Sequence, residues 1–297
     1  MLADPLNNGT GTSTGCAVGP ASSGDALFTT SYFNMRVTRF DPVHPHTSSV
    51  AATVNTPTAA DAIESIAFDN AGNYYLGGMA PQAESALDPV QPHGFIFKYS
   101  SSHTLVATYS VPNERGADWI DIGEDPRTLY YTSEDTKIHV LRPAQSDGET
   151  DFYEEIQIAT IEGTPIGGRT YAVRLLPALP GDLSLKPSGF LVAMDWRIRR
   201  LNAEGRYVQE YTFDNNAGSF FALNLTPDGQ SFWTATFAHG DPDYRDYCPG
   251  GIRPGRLGAG SRLELQLLRP PASAGGAARQ VSHRHRGDHD RSDRHRR

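Results

Sequence analysis

The sequence predicts an all-β fold: a β-propeller of about five four-stranded blades, or about six, with the last blade incomplete. Three observations lead there. The aliphatic residues Ile66, Ile120, Val173 and Leu223 sit in a recurring motif, at spacings of 54, 53 and 50 residues. Each motif opens a series of short runs in which apolar and polar residues alternate, the period of a strand with one dry face. No stretch keeps a 3.6-residue apolar stripe over the length of a helix.

The elements recur in a fixed order. The first strand of each unit reads Glu64-Ser-Ile-Ala-Phe, Asp118-Trp-Ile-Asp-Ile, Tyr171-Ala-Val-Arg-Leu and Phe221-Ala-Leu-Asn-Leu. Turns rich in Asp, Asn, Gly or Pro follow most of them, because these residues supply positive φ, fixed φ or side-chain bonds to the local backbone. The second strand is Tyr74-Tyr-Leu-Gly-Gly, Leu129-Tyr-Tyr-Thr-Ser, Phe190-Leu-Val-Ala-Met and Phe232-Trp-Thr-Ala-Thr. A third carries the pairs Val37 and Phe40, Ile96 and Tyr99, Ile138 and Leu141, Ile198 and Leu201. A fourth is Leu105-Val-Ala-Thr-Tyr, Glu155-Ile-Gln-Ile-Ala and Tyr207-Val-Gln-Glu-Tyr. Residues 25–41 match a second and third strand, and 50–55 a fourth. The first blade therefore reads as lacking its inner strand, which the C-terminus is expected to supply, since an open ring leaves unpaired edges.

This divides the chain into a flexible N-terminal segment (1–23), the propeller (24–240) and a low-complexity tail rich in Arg, Pro, Gly and His (241–297). The tail is expected to be disordered, because dense charge with few apolar residues does not offset the entropy of ordering. Its excess of Arg, Pro, Gly and Ala also resembles an out-of-frame reading of GC-rich DNA. Residues 1–240 carry 14 Lys and Arg against 27 Asp and Glu, whereas 241–297 carry 12 against 7. An acidic body excludes nucleic acid as the main partner, since phosphate binding needs cations. No apolar run approaches the roughly 18 residues of a membrane helix. The first residues have neither a basic head nor an apolar core, so no secretory signal is read. The cytoplasm is the default compartment, secretion being the alternative if residues precede Met1. Cys16 and Cys248 are too few and too far apart for a disulfide framework or a thiol metal site. A monomer is expected.

Turns such as Asp69-Asn-Ala-Gly-Asn and Thr226-Pro-Asp-Gly-Gln, set between such strands, resemble NHL- and YVTN-type propeller repeats. Glu64-Ser-Ile-Ala-Phe and Gly116-Ala-Asp-Trp-Ile-Asp resemble segments of uncharacterised bacterial propellers. The resemblance spans about residues 24–238. More distantly, the chain is similar to the gluconolactonase-like (senescence-marker) and virginiamycin B lyase propellers. The first resemblance implies a divalent ion in the central channel, held by a Glu, two Asn and an Asp from inner strands. The second implies a catalytic His in a blade loop, for which His93, His103, His139 and His239 are candidates.

Inner strands converge on a propeller axis, so equivalent positions should form rings. Two residues before the aligned aliphatic stand Glu64, Asp118, Tyr171 and Phe221; one residue after it stand Ala67, Asp121, Arg174 and Asn224. A ligand is expected at a wet, concave channel mouth lined by Glu64, Asp118, Tyr171 and Phe221, with Arg174 and Asn224 nearby, because desolvating carboxylates between blades is costly. The candidate metal set is Glu64, Asp118, Asp121 and Asn224, for calcium, magnesium, manganese or zinc. Strand alternation puts 118 and 121 on opposite faces, which departs from the family pattern. Arg174, mid-strand, needs a partner, and Asp121 or Asp118 of the preceding blade is the natural one. Trp119 and Trp233 should fill space between blades.

No Gly-rich phosphate loop after a strand and no His-Glu-x-x-His occurs, which argues against nucleotide-driven and zinc-peptidase chemistry. The functional reading is a binding or interaction module for a small molecule or protein at the channel mouth, with no nucleic-acid or membrane partner. The alternative is a metal-assisted lactonase or lyase acting in the channel. No catalytic residue is selected by the sequence.

Overall fold

The computed structural model describes residues 13–21, 24–32, 35–44, 47–53, 62–79, 94–111, 116–144, 146, 149–178, 185–195, 197–211, 219–226 and 231–237. They form antiparallel sheets set side by side in a ring, the β-propeller expected from the repeats. The first blade holds β1 (Ser13–Val18), β2 (Leu27–Ser31), β3 (Arg36–Phe40) and β4 (Ser48–Thr53). The second holds β5 (Ala62–Phe68), β6 (Tyr74–Met79), β7 (Gly94–Tyr99) and β8 (Leu105–Val111). The third holds β9 (Trp119–Ile122), β10 (Leu129–Thr132), β11 (Lys137–Arg142) and β12 (Phe152–Gln157). The fourth holds β13 (Thr170–Leu176), β14 (Gly189–Met194), β15 (Arg197–Asn202) and β16 (Tyr207–Tyr211). Among the described residues a fifth sheet has two strands, β17 (Ser219–Leu225) and β18 (Phe232–Phe237). Contacts between sheets run from β1 to β5, β5 to β9, β9 to β13 and β13 to β17, so these are the inner strands.

One expectation is corrected here. The first blade has its own inner strand, β1, drawn from the stretch read as a flexible leader. Its sequence, Ser-Thr-Gly-Cys-Ala-Val, has small residues where other blades place large ones, so the alternation is faint. Gly15 explains the choice: a Cβ there would lie 2.6 Å from the Glu64 carbonyl oxygen and 2.8 Å from the Ser65 Cα. β1 seats against β5 through backbone, and size would prevent it. The tail beyond 237, including Cys248 and the C-terminal His residues, lies outside the described residues.

The four aligned aliphatics occupy equivalent buried sites, with Ile66 3%, Ile120 0%, Val173 0% and Leu223 1% exposed. Each faces a second-strand residue across its ladder: Leu76, Tyr131, Val192 and Thr234 respectively. The alternating strands thereby bury both faces in the seams between blades. One apolar cluster joins blades one and two (Phe28, Val37, Ile63, Leu76, Phe97). A second joins blades two and three (Tyr75, Ile96, Ile120, Leu129, Leu141). A third runs through blades three to five (Trp119, Val173, Leu191, Ile198, Leu223, Phe232). Trp119 fills a seam as expected, whereas Trp233, on β18, is 44% exposed.

Turn chemistry follows the sequence. In the β5–β6 turn the Asp69 carboxylate accepts from the backbone N–H of Ala71 and Asn73 and from the Asn73 side chain. The β15–β16 turn uses the Asn202 side-chain oxygen in the same way, accepting from Glu204 and Arg206 N–H. Among the described residues no helix is long and apolar enough to cross a membrane.

The inner strands carry a feature the pattern did not show. Their ladders slip between Ile63 and Ser65, between Thr170 and Ala172, and between Phe220 and Ala222. The residue skipped is Glu64, Tyr171 and Phe221, so three members of the expected ring are β-bulge residues. β1 slips in the equivalent stretch, between Ser13 and Cys16. A bulge places two residues opposite one and re-aims the side chain.

Candidate functional site

The bulges govern where the expected ring residues go. Glu64 is 4% and Asp118 2% exposed, so both carboxylates are buried among inner strands and do not line an open mouth. The expectation set them in a wet, concave opening, whereas the structure gives both buried positions. Glu64 lies where β1 and β2 press on β5: its backbone oxygen accepts from the Thr30 hydroxyl, and the Thr14 hydroxyl donates to the neighbouring Ile63 oxygen at 2.8 Å. Asp118 precedes β9, where its backbone N–H donates to the Thr132 oxygen at 2.9 Å. Tyr171 is half-buried, and its carbonyl oxygen accepts from the Thr132 hydroxyl at 3.1 Å. Phe221 belongs to β17, and its side chain lies outside the described residues.

Three residues further along each inner strand, roughly 10 Å at the rise of a β-strand, the picture changes. Asp121 of β9, Arg174 of β13 and Asn224 of β17 line one cavity of ≈ 420 Å³. It opens where these strands finish, since Ile122, Leu176 and Leu225 are their last residues and all three line it. Leu175, Pro177 and Pro187 add apolar wall, and Glu124, exposed, stands at the rim.

Arg174 organises this cavity. Its Nε and Nη2 both donate to the Asn224 Oδ1, at 2.8 and 2.6 Å. Its Nη1 donates to the carbonyl oxygens of Ile120 and Val173, each at 3.3 Å. The guanidinium carbon sits 4.8 Å from the centre of the Trp119 ring, a cation–π stack. The principal partner of Arg174 is thus a neutral amide of the following blade, where a carboxylate of the preceding one was expected. Asp121 acts at longer range. Its Oδ2 accepts from the Leu175 N–H at 2.9 Å and its Oδ1 from the Ile122 N–H at 3.0 Å, stitching blade three to blade four. Glu124 Oε1 repeats the stitch on the Ala178 N–H at 3.1 Å.

The electrostatics follow from this enclosure. Burial pushes the Asp121 carboxyl above the ordinary carboxylate range, and the Arg174 charge and two backbone N–H bonds only partly oppose it. Burial lowers the Arg174 guanidinium, with the Asp121 charge opposing. Cys16 of β1 is raised by burial and drawn down by the field of Arg174.

The four residues of the candidate metal set do not share one shell. Asn224 turns its only side-chain oxygen to the Arg174 guanidinium, an arrangement in which a cation cannot also be held. The Asp121 oxygens are engaged by backbone N–H beside the same positive charge. Among the described residues no group of three or more His, Cys, Asp or Glu side chains gathers around a point that could hold a metal ion. Of the histidine candidates, His103 in the β7–β8 turn meets the Tyr74 hydroxyl at 3.3 Å. His139 is 2% exposed and is committed to Asp135 at 2.9 Å, while His93 and His239 lie outside the described residues. The cavity at the strand ends was missed because nothing in the sequence says which end of an inner strand stays open. The polar trio Asp121, Arg174 and Asn224 at one repeat position was the available signal.

No known protein family matches the sequence as a family, and no curated protein matches it. Solved structures do. A gluconolactonase of Xanthomonas campestris superposes with a TM-score of 0.53 at 10% identity, over 74% of this chain and 68% of that one. A calcium-binding protein, regucalcin, of Agrobacterium tumefaciens gives 0.52 at 12% identity, over 76% and 69%. A protein described as a putative gluconolactonase gives 0.51 at 10% identity, over 72% and 68%. At such identities the likeness is one of fold. The chain is a β-propeller, distantly similar in fold to the gluconolactonase-like and regucalcin-like propellers.

Proposed function

We propose that this propeller is a binding module that takes a small molecule into the cavity at the C-terminal ends of its inner strands. The observation that carries the reading is the convergence of Asp121, Arg174 and Asn224, from three consecutive blades, on one ≈ 420 Å³ cavity with an apolar wall. A concave, mostly apolar site with a few aimed polar groups is the usual form of a ligand pocket, and the volume lies in the range such pockets occupy. Ligand-observed NMR of a fragment library against the wild type and a cavity-blocked Leu225→Trp variant tests it. Fragments should bind the wild type and be lost, by at least about tenfold, from a variant whose circular dichroism is unchanged. Equal binding to both places the site elsewhere.

A second reading is a metal-assisted lactonase or lyase working at Glu64 and Asp118. It is supported by the shared fold with gluconolactonases and a calcium-binding regucalcin, and by two buried carboxylates, Glu64 on β5 and Asp118 immediately before β9. Thermal shifts with calcium, magnesium, manganese or zinc, and lactone turnover abolished by chelation, would favour this reading over the first.

A further inference from the structure

The cavity has a definite hydrogen-bonding sense, which follows from how Arg174 is used. Each nitrogen of its guanidinium already donates to a protein oxygen, and Trp119 covers one face. No two-pronged fork remains to clasp a carboxylate or phosphate. A guanidinium only donates, so the Asn224 atom that receives two of its N–H groups is the oxygen. That fixes the amide: Nδ2 points the other way, and among the described residues no protein acceptor meets it. Asp121 presents the complementary sense. Each of its oxygens accepts one backbone N–H and retains acceptor capacity. The charges of Asp121 and Arg174 offset one another, and Glu124 at the rim adds a negative charge. An entering anion finds no free fork on Arg174, and an entering cation competes with Arg174 for Asp121.

We propose that the cavity selects a compact neutral ligand that carries both a hydrogen-bond acceptor and a donor, Asn224 Nδ2 donating to the one and Asp121 accepting from the other. Leu175, Leu176, Pro177 and Pro187 cover its apolar part. The proposal rests on the cavity being a ligand site.

The test uses the full chain, isotopically labelled, and four six-membered ring probes: δ-valerolactam, cyclohexanone, cyclohexanecarboxylate and piperidinium. Backbone resonances of Leu175 and Leu225 report the cavity. The lactam should shift them at the lowest concentration, cyclohexanone at a higher one, and the two ions least. Asn224→Asp keeps an oxygen on Arg174, so the fold is retained, but it replaces the donor by an acceptor and adds a charge. Lactam affinity should fall at least about tenfold, the loss expected for a lone buried hydrogen-bond partner. Tighter binding of either ion than of the lactam, or unchanged lactam affinity in Asn224→Asp, overturns the ligand class and leaves the cavity a ligand site. If none of the four probes moves the cavity resonances of the wild type, the ligand class and the binding-module reading fall together.

Discussion

Arg174 shows how one side chain can hold a ring together without an ion pair. Mid-strand and enclosed, it spans three blades by donating to Ile120 in blade three, Val173 in its own blade and Asn224 in blade five. Asn224 is a less costly partner to desolvate than a carboxylate, which suits a crowded interior. A second buried polar group lies away from the axis. His139 is stacked on Tyr131, ring centres 4.9 Å apart, and bonded through Nε2 to the Asp135 carboxylate. Burial pushes Asp135 up, but the His139 hydrogen bond and charge and the Lys137 N–H outweigh it and hold the carboxyl below its ordinary range. A carboxyl lowered in the folded state stabilises the fold above its unfolded pKa, about 3.9, and that contribution is lost as pH falls through the folded value. Replacing His139 by Phe keeps the stack and removes the bond. The Asp135 midpoint, followed by carboxyl NMR, should then rise toward the ordinary value, and the melting temperature should depend less on pH below about 4. An unmoved midpoint would show that His139 does not set this carboxyl.

At the scale of elements, the repeat reading located the strands well because burial imposes a period that side chains must obey. The third-strand pairs fall in β3, β7, β11 and β15 as read, with Val37, Ile96, Ile138 and Ile198 all fully buried. The inner ring was legible in part. A period-2 rule carries no term for an inserted residue, so it could not register the bulges at Glu64, Tyr171 and Phe221. Nor could it find β1, whose fit depends on the smallness of Gly15 and not on an apolar face. Asp121, Arg174 and Asn224 were named, but their mutual geometry needed the twist of three blades to become visible. Gly77 of β6 belongs to the same class as Gly15. A Cβ there would run into the Ala117 carbonyl oxygen, backbone of the next blade that cannot step aside. Gly77→Ala should destabilise by about 1–3 kcal/mol or more, read by denaturant unfolding. Gly167, where a Cβ meets nothing within 4 Å, is the control, and its alanine variant should stay within about 0.5 kcal/mol of wild type. Equal effects at both would mean that the blades do not meet through backbone at Gly77.

Across the whole molecule, the apolar core is divided among seams. Leu76 lies in the seam of blades one and two, Leu191 in the cluster of blades three to five, and both are 0% exposed. Each Leu→Ala change should cost about 2–5 kcal/mol, and the double variant should lose their sum within about 0.5 kcal/mol. A coupling above about 1 kcal/mol would indicate one continuous core. The same architecture bears on synthesis. Each complete blade is one unbroken stretch of chain, 13–53, 62–111, 119–157 and 170–211, because β1 precedes β2 in sequence and pairs with it. Every ladder can form as soon as its own strands have left the ribosome. Each finished sheet then offers a template for the one emerging behind it, so assembly can follow translation from the first blade onward.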